Sequence, residues 1–234
     1  MLALETALTP AGVALLRDGA LVAEITLPPA RAVSEQLLSG IDALLALCGT
    51  PLDEVDAFAA SVGPGSFTGI RVGIATLKGL AFGGERPVAP VSTLAALACA
   101  GGLPGDRVAA IVDARRGEVY AGLYELTGGA PSLLVAESLY AVADLAARLP
   151  PACLLVGDGA SLHAEVWDAA LGSGARILAQ AFVRPRAFQV GRLGHALLLA
   201  GGGVRAETLV PRYLRRAEAE ARRIGERLDV PTPL

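Results

Sequence analysis

The order of strand-like and helix-like segments is the feature of this sequence that most restricts its fold. Three β-leaning runs come first, at residues 2–6, 12–16 and 21–27, with a hairpin turn at Arg17-Asp18-Gly19. Apolar residues at helical spacing predict a first helix over Val33–Cys48. A strand, a helix, a strand and a helix are then predicted at 56–62, 68–82, 87–91 and 93–100. The first part of the chain therefore has the predicted order βββαβαβα.

The same order begins again after the glycine- and proline-containing stretch at 101–105. Two strands are predicted around the Arg115-Arg116-Gly117 turn, at Arg107–Asp113 and 118–126. The remaining predicted elements are a strand at 132–137, a helix at 139–149, strands at 153–157 and 176–178, and helices at 162–171 and 186–200. Two such units, each a mixed sheet with helices on its faces, predict the two-lobed actin-like, RNase H-like α/β fold.

This pattern predicts an N-terminal lobe at 1–103, a C-terminal lobe at 104–207 and a tail at 208–234 that forms a charged helix over 211–228. Hydrophobic residues make up 53% of the 234-residue chain, which is typical of a folded protein with a sizeable core. We expect a soluble cytoplasmic protein, because no apolar run is long enough to span a bilayer and the N-terminus lacks the basic start of a signal peptide. The three widely spaced cysteines favour reduced thiols over disulfides.

The stretch SVGPGSFTGIRVGIATLKGLAFG, at residues 61–83, raises the question of phosphate binding. Its glycines at 63, 65 and 69 match neither the P-loop nor the dinucleotide-binding spacing. A strand that leads into a helix N-terminus still provides a generic anion site. The helix is apolar around most of its circumference, and Gly69 and Gly73 share one face of it, which indicates close packing either on the protein's own sheet or on a partner's helix.

Several stretches carry a resemblance to a known family. In chain order they read LALETALTPAGVALLRDG, SEQLLSGIDALL, SVGPGSFTGIRVGIATLKGLA, PVSTLAALA, VDARRGEVYAGLY, VGDGA and VPRYLRR. Together they resemble the bacterial TsaB family, also called YeaZ, over nearly the whole chain, and GPGSFTGIR and DARRGEVY are specific to it.

The resemblance implies a non-catalytic subunit that binds the related protein TsaD and works with the ATPase TsaE. These proteins transfer a threonylcarbamoyl group from threonylcarbamoyl-AMP to N6 of the tRNA adenosine 3′ of the anticodon. It also implies a homodimer when the chain is alone, no intrinsic cofactor, with ATP or ADP and metal belonging to the partner subunits, and an interface on the first two helices. The predicted interface residues are Val33, Leu37, Leu38, Ile41, Gly69, Ile70, Val72, Gly73, Thr76, Leu77 and Leu80.

The residues themselves also favour a non-catalytic role. The only histidines, His163 and His195, lie far apart in sequence, whereas a metal site in this architecture needs two histidines one turn apart on a helix. Glu5-Thr6-Ala7 stands where the family commonly has Asp-Thr-Ser, which argues against ATP or magnesium binding there. The alternative function is an ATPase of this fold or a glycoprotease-like peptidase.

Two further sets of residues are candidates for ligand contacts. Thr6, Gly157 and Asp158 are candidates for a nucleotide cleft, although a tight strand-to-helix turn also explains the last two. Arg215 and Arg216 in the tail are candidates for tRNA contact within the complex, against the alternative of a solvated helix face. The net charge of −3 argues against binding of nucleic acid by the chain unaided.

Overall fold

The first five-stranded sheet is built from residues near the N-terminus. In the computed structural model, which describes residues 1–178 and 186–215, its strand order is β3-β2-β1-β4-β5. Strand β1 pairs antiparallel with β2 and parallel with β4. The strands are β1 (Leu2–Glu5), β2 (Gly12–Arg17), β3 (Ala20–Thr26), β4 (Phe58–Gly63) and β5 (Val88–Ser92). The predicted hairpin turn is confirmed, because Asp18 and Gly19 both have positive φ angles, 51° and 78°.

Three helices follow the strands of this sheet: α1 (Val33–Cys48), α2 (Phe67–Leu80) and α3 (Thr93–Gly101). Helices α1 and α2 contact each other and bury one face in the core, where Leu37, Leu44 and Leu77 are at most 1% exposed. Gly49 ends α1 in the left-handed conformation, with a φ of 60°. The sequence therefore sets both the buried face and the end of α1.

The second sheet repeats the topology of the first. Its order is β10-β9-β6-β7-β8, so that β8-β7-β6-β9-β10 corresponds strand by strand to β3-β2-β1-β4-β5. Its elements are β6 (Arg107–Asp113), β7 (Glu118–Glu125), β8 (Ser132–Ala141), α4 (Val142–Ala146), β9 (Leu154–Val156), α5 (Asp158–Leu162), α6 (Ala164–Leu171) and β10 (Arg176–Ile177). Trp167 is fully buried in this unit's core. The predicted duplicated, mixed-sheet α/β architecture is confirmed.

The last described helix, α7 (Ala187–Leu199), belongs to the first unit, although the sequence analysis placed it in the second lobe. It packs on β1, β2, β4 and β5. Two glycines allow this close approach, because a Cβ at Gly191 would lie 2.2 Å from Leu16 Cδ1 and one at Gly194 would lie 2.6 Å from Ala59 Cβ. The first unit thus consists of Met1–Ala96 and the segment that carries α7 and ends at Pro211, and the second unit begins at Leu97 and resumes at Arg212.

Two predicted boundaries in the second unit also differ. Strand β8 continues to Ala141 because residues 138–141 still pair with β7, and this shortens the predicted helix at 139–149 to α4. Residues 211–215 are not helical, and the rest of the predicted tail helix lies outside the described residues. Within the part of the chain that the structure describes, no helix has both the length and the apolarity needed to cross a membrane.

Candidate functional site

The start of α2 is where the sequence raised the question of phosphate binding, and the protein's own groups fill it. The backbone N–H of Ser66 donates to Ala7 O at 2.7 Å, and Ser66 Oγ caps the helix by accepting from Gly69 N at 3.1 Å. Gly65 has a φ of 154°, and a Cβ there would lie 2.3 Å from Ala7 O. Two amides that a phosphate loop would offer to an anion are therefore used inside the protein.

The glycine face of α2 packs against residue Thr6. A Cβ at Gly69 would lie 2.0 Å from Thr6 O, and one at Gly73 would lie 2.2 Å from Thr6 Oγ1. Real Cβ atoms do not make contacts this short, so a side chain at Gly69 requires a backbone shift and one at Gly73 requires that the Thr6 side chain or the helix move. Of the two alternatives left open by the sequence, the structure supports packing of these glycines against the protein's own chain.

Glu5, at the end of β1, is 1% exposed and is used by its own loop. Its Oε1 accepts hydrogen bonds from Ala7 N at 2.7 Å and Leu8 N at 3.0 Å, while Ser61 Oγ accepts from Thr6 N at 3.2 Å. Burial raises the pKa of Glu5 to about 7, although hydrogen bonds from Leu8, Ala7 and Ser61 oppose the shift. The carboxyl group is therefore enclosed in the β1–β2 loop.

The second unit contains a related turn at Gly157-Asp158-Gly159. A Cβ at Gly157 would lie 2.2 Å from Ile111 O, and Asp158 Oδ1 accepts from Asp113 N at 3.0 Å and Gly159 N at 2.8 Å. Gly157 and Asp158 thus join β9 to α5 and hold the end of β6. Thr6 belongs to the first unit and these two residues to the second, and in each unit the candidate nucleotide-site residues serve local packing.

The predicted interface residues on α1 and α2 fall into two groups according to their burial. The first group is buried within the first unit and so is not accessible to a partner in this structure: Leu37, Ile41, Gly69, Ile70, Gly73 and Leu77. The second group reaches the surface: Leu38 is 56% exposed, and Val33, Val72, Thr76 and Leu80 are partly exposed.

Two aromatic residues on or next to α2 are also exposed, although the sequence pattern did not single them out. Phe67 is 37% exposed and Phe82 is 85% exposed. The guanidinium of Arg71 lies 3.8 Å from the centre of the Phe67 ring. Their apolar character was visible in the sequence, but their exposure was not, because helical spacing does not show which parts of an apolar helix the rest of the protein covers. These two residues and the exposed or partly exposed members of the predicted interface form the candidate functional site: Val33, Leu38, Phe67, Val72, Thr76, Leu80 and Phe82.

The structure does not support tRNA contact by Arg215. The guanidinium of Arg215 donates to Ala114 O at 2.7 Å and pairs with Glu118, and only 13% of its side chain is exposed. The arginine is therefore held inside the second unit. Glu118 has two roles, because its backbone closes the turn and its side chain pairs with Arg215. Arg216 lies outside the described residues.

The side chains that could bind a metal ion are dispersed in the part of the chain that the structure describes. Among residues 1–178 and 186–215, no three His, Cys, Asp or Glu side chains are grouped in a way that could hold a metal ion. His163 meets Trp167 edge-on at 6.5 Å between ring centres, in the second unit. His195 covers Gly19 in the first unit, where a Cβ would lie 2.8 Å from His195 Cδ2.

Comparison with known proteins decides the family. A family model described as "TsaD: tRNA N6-adenosine threonylcarbamoyltransferase" matches residues 21–223. The tRNA threonylcarbamoyladenosine biosynthesis protein TsaB of Bacillus subtilis is 33% identical over 95% of this chain and 96% of its own length. The chain belongs to the TsaB family.

Solved structures agree with this family. YeaZ from Pseudomonas aeruginosa has a TM-score of 0.76 at 33% identity, over 91% of this chain and 98% of that one. A crystal structure described as an uncharacterized protein with similarity to peptidase YEAZ from Pseudomonas aeruginosa gives a TM-score of 0.78 at 34% identity, over 92% and 98%.

Individual transferase sequences also match, but over a short region. A tRNA N6-adenosine threonylcarbamoyltransferase from Novosphingobium aromaticivorans is 43% identical over 76 residues, which is 32% of this chain and 21% of that protein. The match to TsaB extends over nearly the full length of both chains, so the TsaB family describes the whole molecule. Family membership places this chain in the biosynthesis of threonylcarbamoyladenosine in tRNA.

Proposed function

We propose that this chain is a non-catalytic subunit that binds a TsaD protein and activates it. Together with TsaE, the pair would transfer threonylcarbamoyl from threonylcarbamoyl-AMP to N6 of the tRNA adenosine 3′ of the anticodon. In the absence of TsaD, the same surface would pair two copies of this chain. Nucleotide and metal would then be held by the partner subunits.

One contrast within the first unit carries this proposal. The turns that could hold a phosphate or a metal-bound nucleotide are filled by the Glu5 carboxyl group, the Ser66 cap and the contacts of the α2 glycines with Thr6. The two helices next to these turns expose apolar side chains at Leu38, Phe67 and Phe82. Exposed apolar surface of this kind is typical of a docking site for another protein.

The surface is tested by the change Leu38→Arg in the full chain. Leu38 is more than half exposed, so the change removes little core packing, but it would place a charge inside an apolar interface. We expect binding to TsaD, measured by titration of the two purified proteins, to weaken by at least about tenfold. Sedimentation of the chain alone should show loss of the homodimer.

Leu47→Arg provides a matched control. Leu47 is also on α1 and is 73% exposed, and nine residues at 100° per residue place it on the opposite side of the helix from Leu38. This variant should bind TsaD like the unmodified chain. Equal binding by all three proteins would place the interface elsewhere, and robust hydrolysis of ATP or of protein substrates by the purified chain would contradict the non-catalytic role.

A further inference from the structure

Residues 212–215, directly after Pro211, belong to the second unit and are fixed there by two arginines. We call residues 212–215 the latch segment. Arg212 pairs with Glu137 on β8, and Arg215 pairs with Glu118 at the start of β7. Between them, Leu214 is only 5% exposed. The segment is therefore anchored at two places, three residues apart, on the same sheet.

The contact at Glu137 is well shielded from solvent. The side chains of Arg212 and Glu137 are 17% and 6% exposed, and Tyr124 Oη also donates to the Glu137 carboxylate. Gly122 leaves room for this arrangement, because a Cβ there would lie 3.1 Å from both Glu137 Cγ and Tyr124 Oη. A carboxylate this buried needs a cationic partner, since loss of the partner would leave an uncompensated buried charge.

Arg215 contacts the turn between β6 and β7, whose backbone has an unusual conformation. Arg115 and Arg116, between β6 and β7, have φ angles of 68° and 59°. Residues other than glycine, asparagine and aspartate rarely adopt this left-handed backbone conformation, and here two successive arginines adopt it. Such residues keep this conformation only where surrounding contacts hold them.

Arg215 supplies contacts on both sides of this turn. It donates to Ala114 O before the turn and pairs with the Glu118 side chain after it. The backbone closes the same turn through Ala114 N to Glu118 O at 3.0 Å and Glu118 N to Arg115 O at 3.1 Å. One guanidinium group thus bridges the two residues whose backbones close the turn.

We propose that the latch segment stabilises the second unit through intramolecular contacts. Arg212 binds it to β8, and Arg215 holds the Arg115-Arg116 turn in its left-handed conformation. The Arg-x-x-Arg spacing matches the two carboxylates that receive it, Glu137 and Glu118. The role of these arginines is therefore to fix the latch segment and the turn, rather than to bind an external anion. This inference is independent of the partner proposed above.

Hydrogen–deuterium exchange of the full-length protein tests the inference. The Ala114 and Glu118 amides report on the turn, and the Val88 amide, bonded to Val204 O at 2.9 Å, reports on the first unit. In Arg215→Ala we expect exchange at Ala114 and Glu118 to accelerate about tenfold or more, as the loss of a charge-assisted hydrogen bond implies. Exchange at Val88 should stay unchanged.

Two further variants make the result specific. Arg215→Lys retains the charge but lacks the fork that reaches two acceptors, so it should also accelerate exchange at the turn. Arg205→Ala is the matched control, because Arg205 is an exposed arginine whose side chain pairs with the exposed Glu207. It should leave exchange at the turn unchanged.

Acceleration confined to the turn in both Arg215 variants supports the latch. Unchanged exchange at Ala114 and Glu118, or equal acceleration over the whole second unit, overturns it. If Arg215→Ala does not fold, Arg215→Lys and Glu118→Gln decide by the same criterion, since both keep side chains of similar size in place. If exchange at Ala114 and Glu118 accelerates as much in Arg205→Ala as in Arg215→Ala, the latch is also contradicted.

Discussion

Glu5 is a buried carboxyl group whose protonation affects the stability of the first unit. Burial raises its pKa from 4.5 to about 7 in the folded protein. The folded state therefore binds more protons than the unfolded state between these values, and stability falls as the pH rises through this window. We predict that the free energy of unfolding in urea decreases between pH 5 and pH 8, and that Glu5→Gln removes much of this decrease.

Glu35→Gln serves as the control for this measurement. Glu35 is an exposed acid in the first turn of α1, so this variant also exchanges one carboxyl group for an amide but leaves the buried Glu5 carboxyl group in place. A slope that is the same in the unmodified protein and in Glu5→Gln would show that Glu5 does not titrate in this range.

Gly69, Gly73 and Gly79 share one helix but differ in what surrounds them. A Cβ at Gly69 meets the backbone oxygen of Thr6, one at Gly73 meets the Thr6 hydroxyl, and one at Gly79 has nothing within 4 Å. We predict that alanine destabilises the protein at 69 and 73 by about 1–3 kcal/mol, because the site is overpacked, and stabilises it at 79 by about 0.5–1 kcal/mol. Chemical denaturation of the three variants measures this.

A double variant separates the two contacts with Thr6. Thr6→Ala removes the hydroxyl that Gly73→Ala would strike, so it should restore part of the lost stability. It should not rescue Gly69→Ala, whose Cβ strikes the backbone carbonyl of the same residue. Equal rescue of both variants would contradict the assignment. Because of these contacts, substitutions at Gly73 report on folding rather than on partner binding.

At the scale of elements, Arg86 joins α2 to the loop before β4. Its guanidinium donates to Leu80 O at 2.6 Å and Leu52 O at 2.8 Å and lies 5.0 Å from the centre of the Phe58 ring. We predict that Arg86→Ala lowers the free energy of unfolding by about 2–3 kcal/mol, because these partly buried carbonyl groups lose charge-assisted donors. Arg205→Ala, at a solvent-exposed position, should have an effect below about 0.5 kcal/mol in the same assay.

The sequence predicts the elements of this fold well where local signals are strong. Helix α1 has the predicted bounds because its apolar period is regular and Gly49 ends it in the left-handed conformation. The end of β8 was predicted less well, since residues 138–141 become a strand by pairing with β7, and a local pattern does not record such pairing. The placement of α7 on the first sheet depends on contacts between residues distant in sequence. Gly191 and Gly194 allow these contacts, but two glycines in a helix do not predict which sheet the helix packs on.

The exposure of the predicted interface residues depends on the same kind of distant contact. Leu37, Leu38 and Ile41 were all predicted as interface residues of α1; Leu38 reaches the surface, whereas Leu37 and Ile41 belong to the core. Helical spacing predicts which side chains share a face, but not how far the protein's own sheet covers that face. Arg215 was predicted to contact tRNA or to lie on a solvated helix face, because its carboxylate partner, Glu118, is distant in sequence.

At the scale of the whole molecule, the charge makes a prediction about tRNA. The net charge is −3, and phosphate contacts by Lys and Arg supply most non-specific affinity for nucleic acid. We predict that the purified chain alone binds tRNA with a Kd on the order of 10⁻⁴ M or weaker at physiological salt. Filter binding measures this, and tight, salt-sensitive binding by the chain alone would contradict it.

The proposed subunit role is tested most directly by reconstituting the modification reaction. TsaD, TsaE, tRNA and threonylcarbamoyl-AMP are combined with this chain, with Leu38→Arg, with Leu47→Arg or with no added chain, and threonylcarbamoyladenosine is quantified in the tRNA. We expect product with the unmodified chain and with Leu47→Arg, little product with Leu38→Arg or without the chain, and none with this chain in place of TsaD. Product formed by this chain without TsaD, or undiminished product when the chain is omitted, would contradict the account.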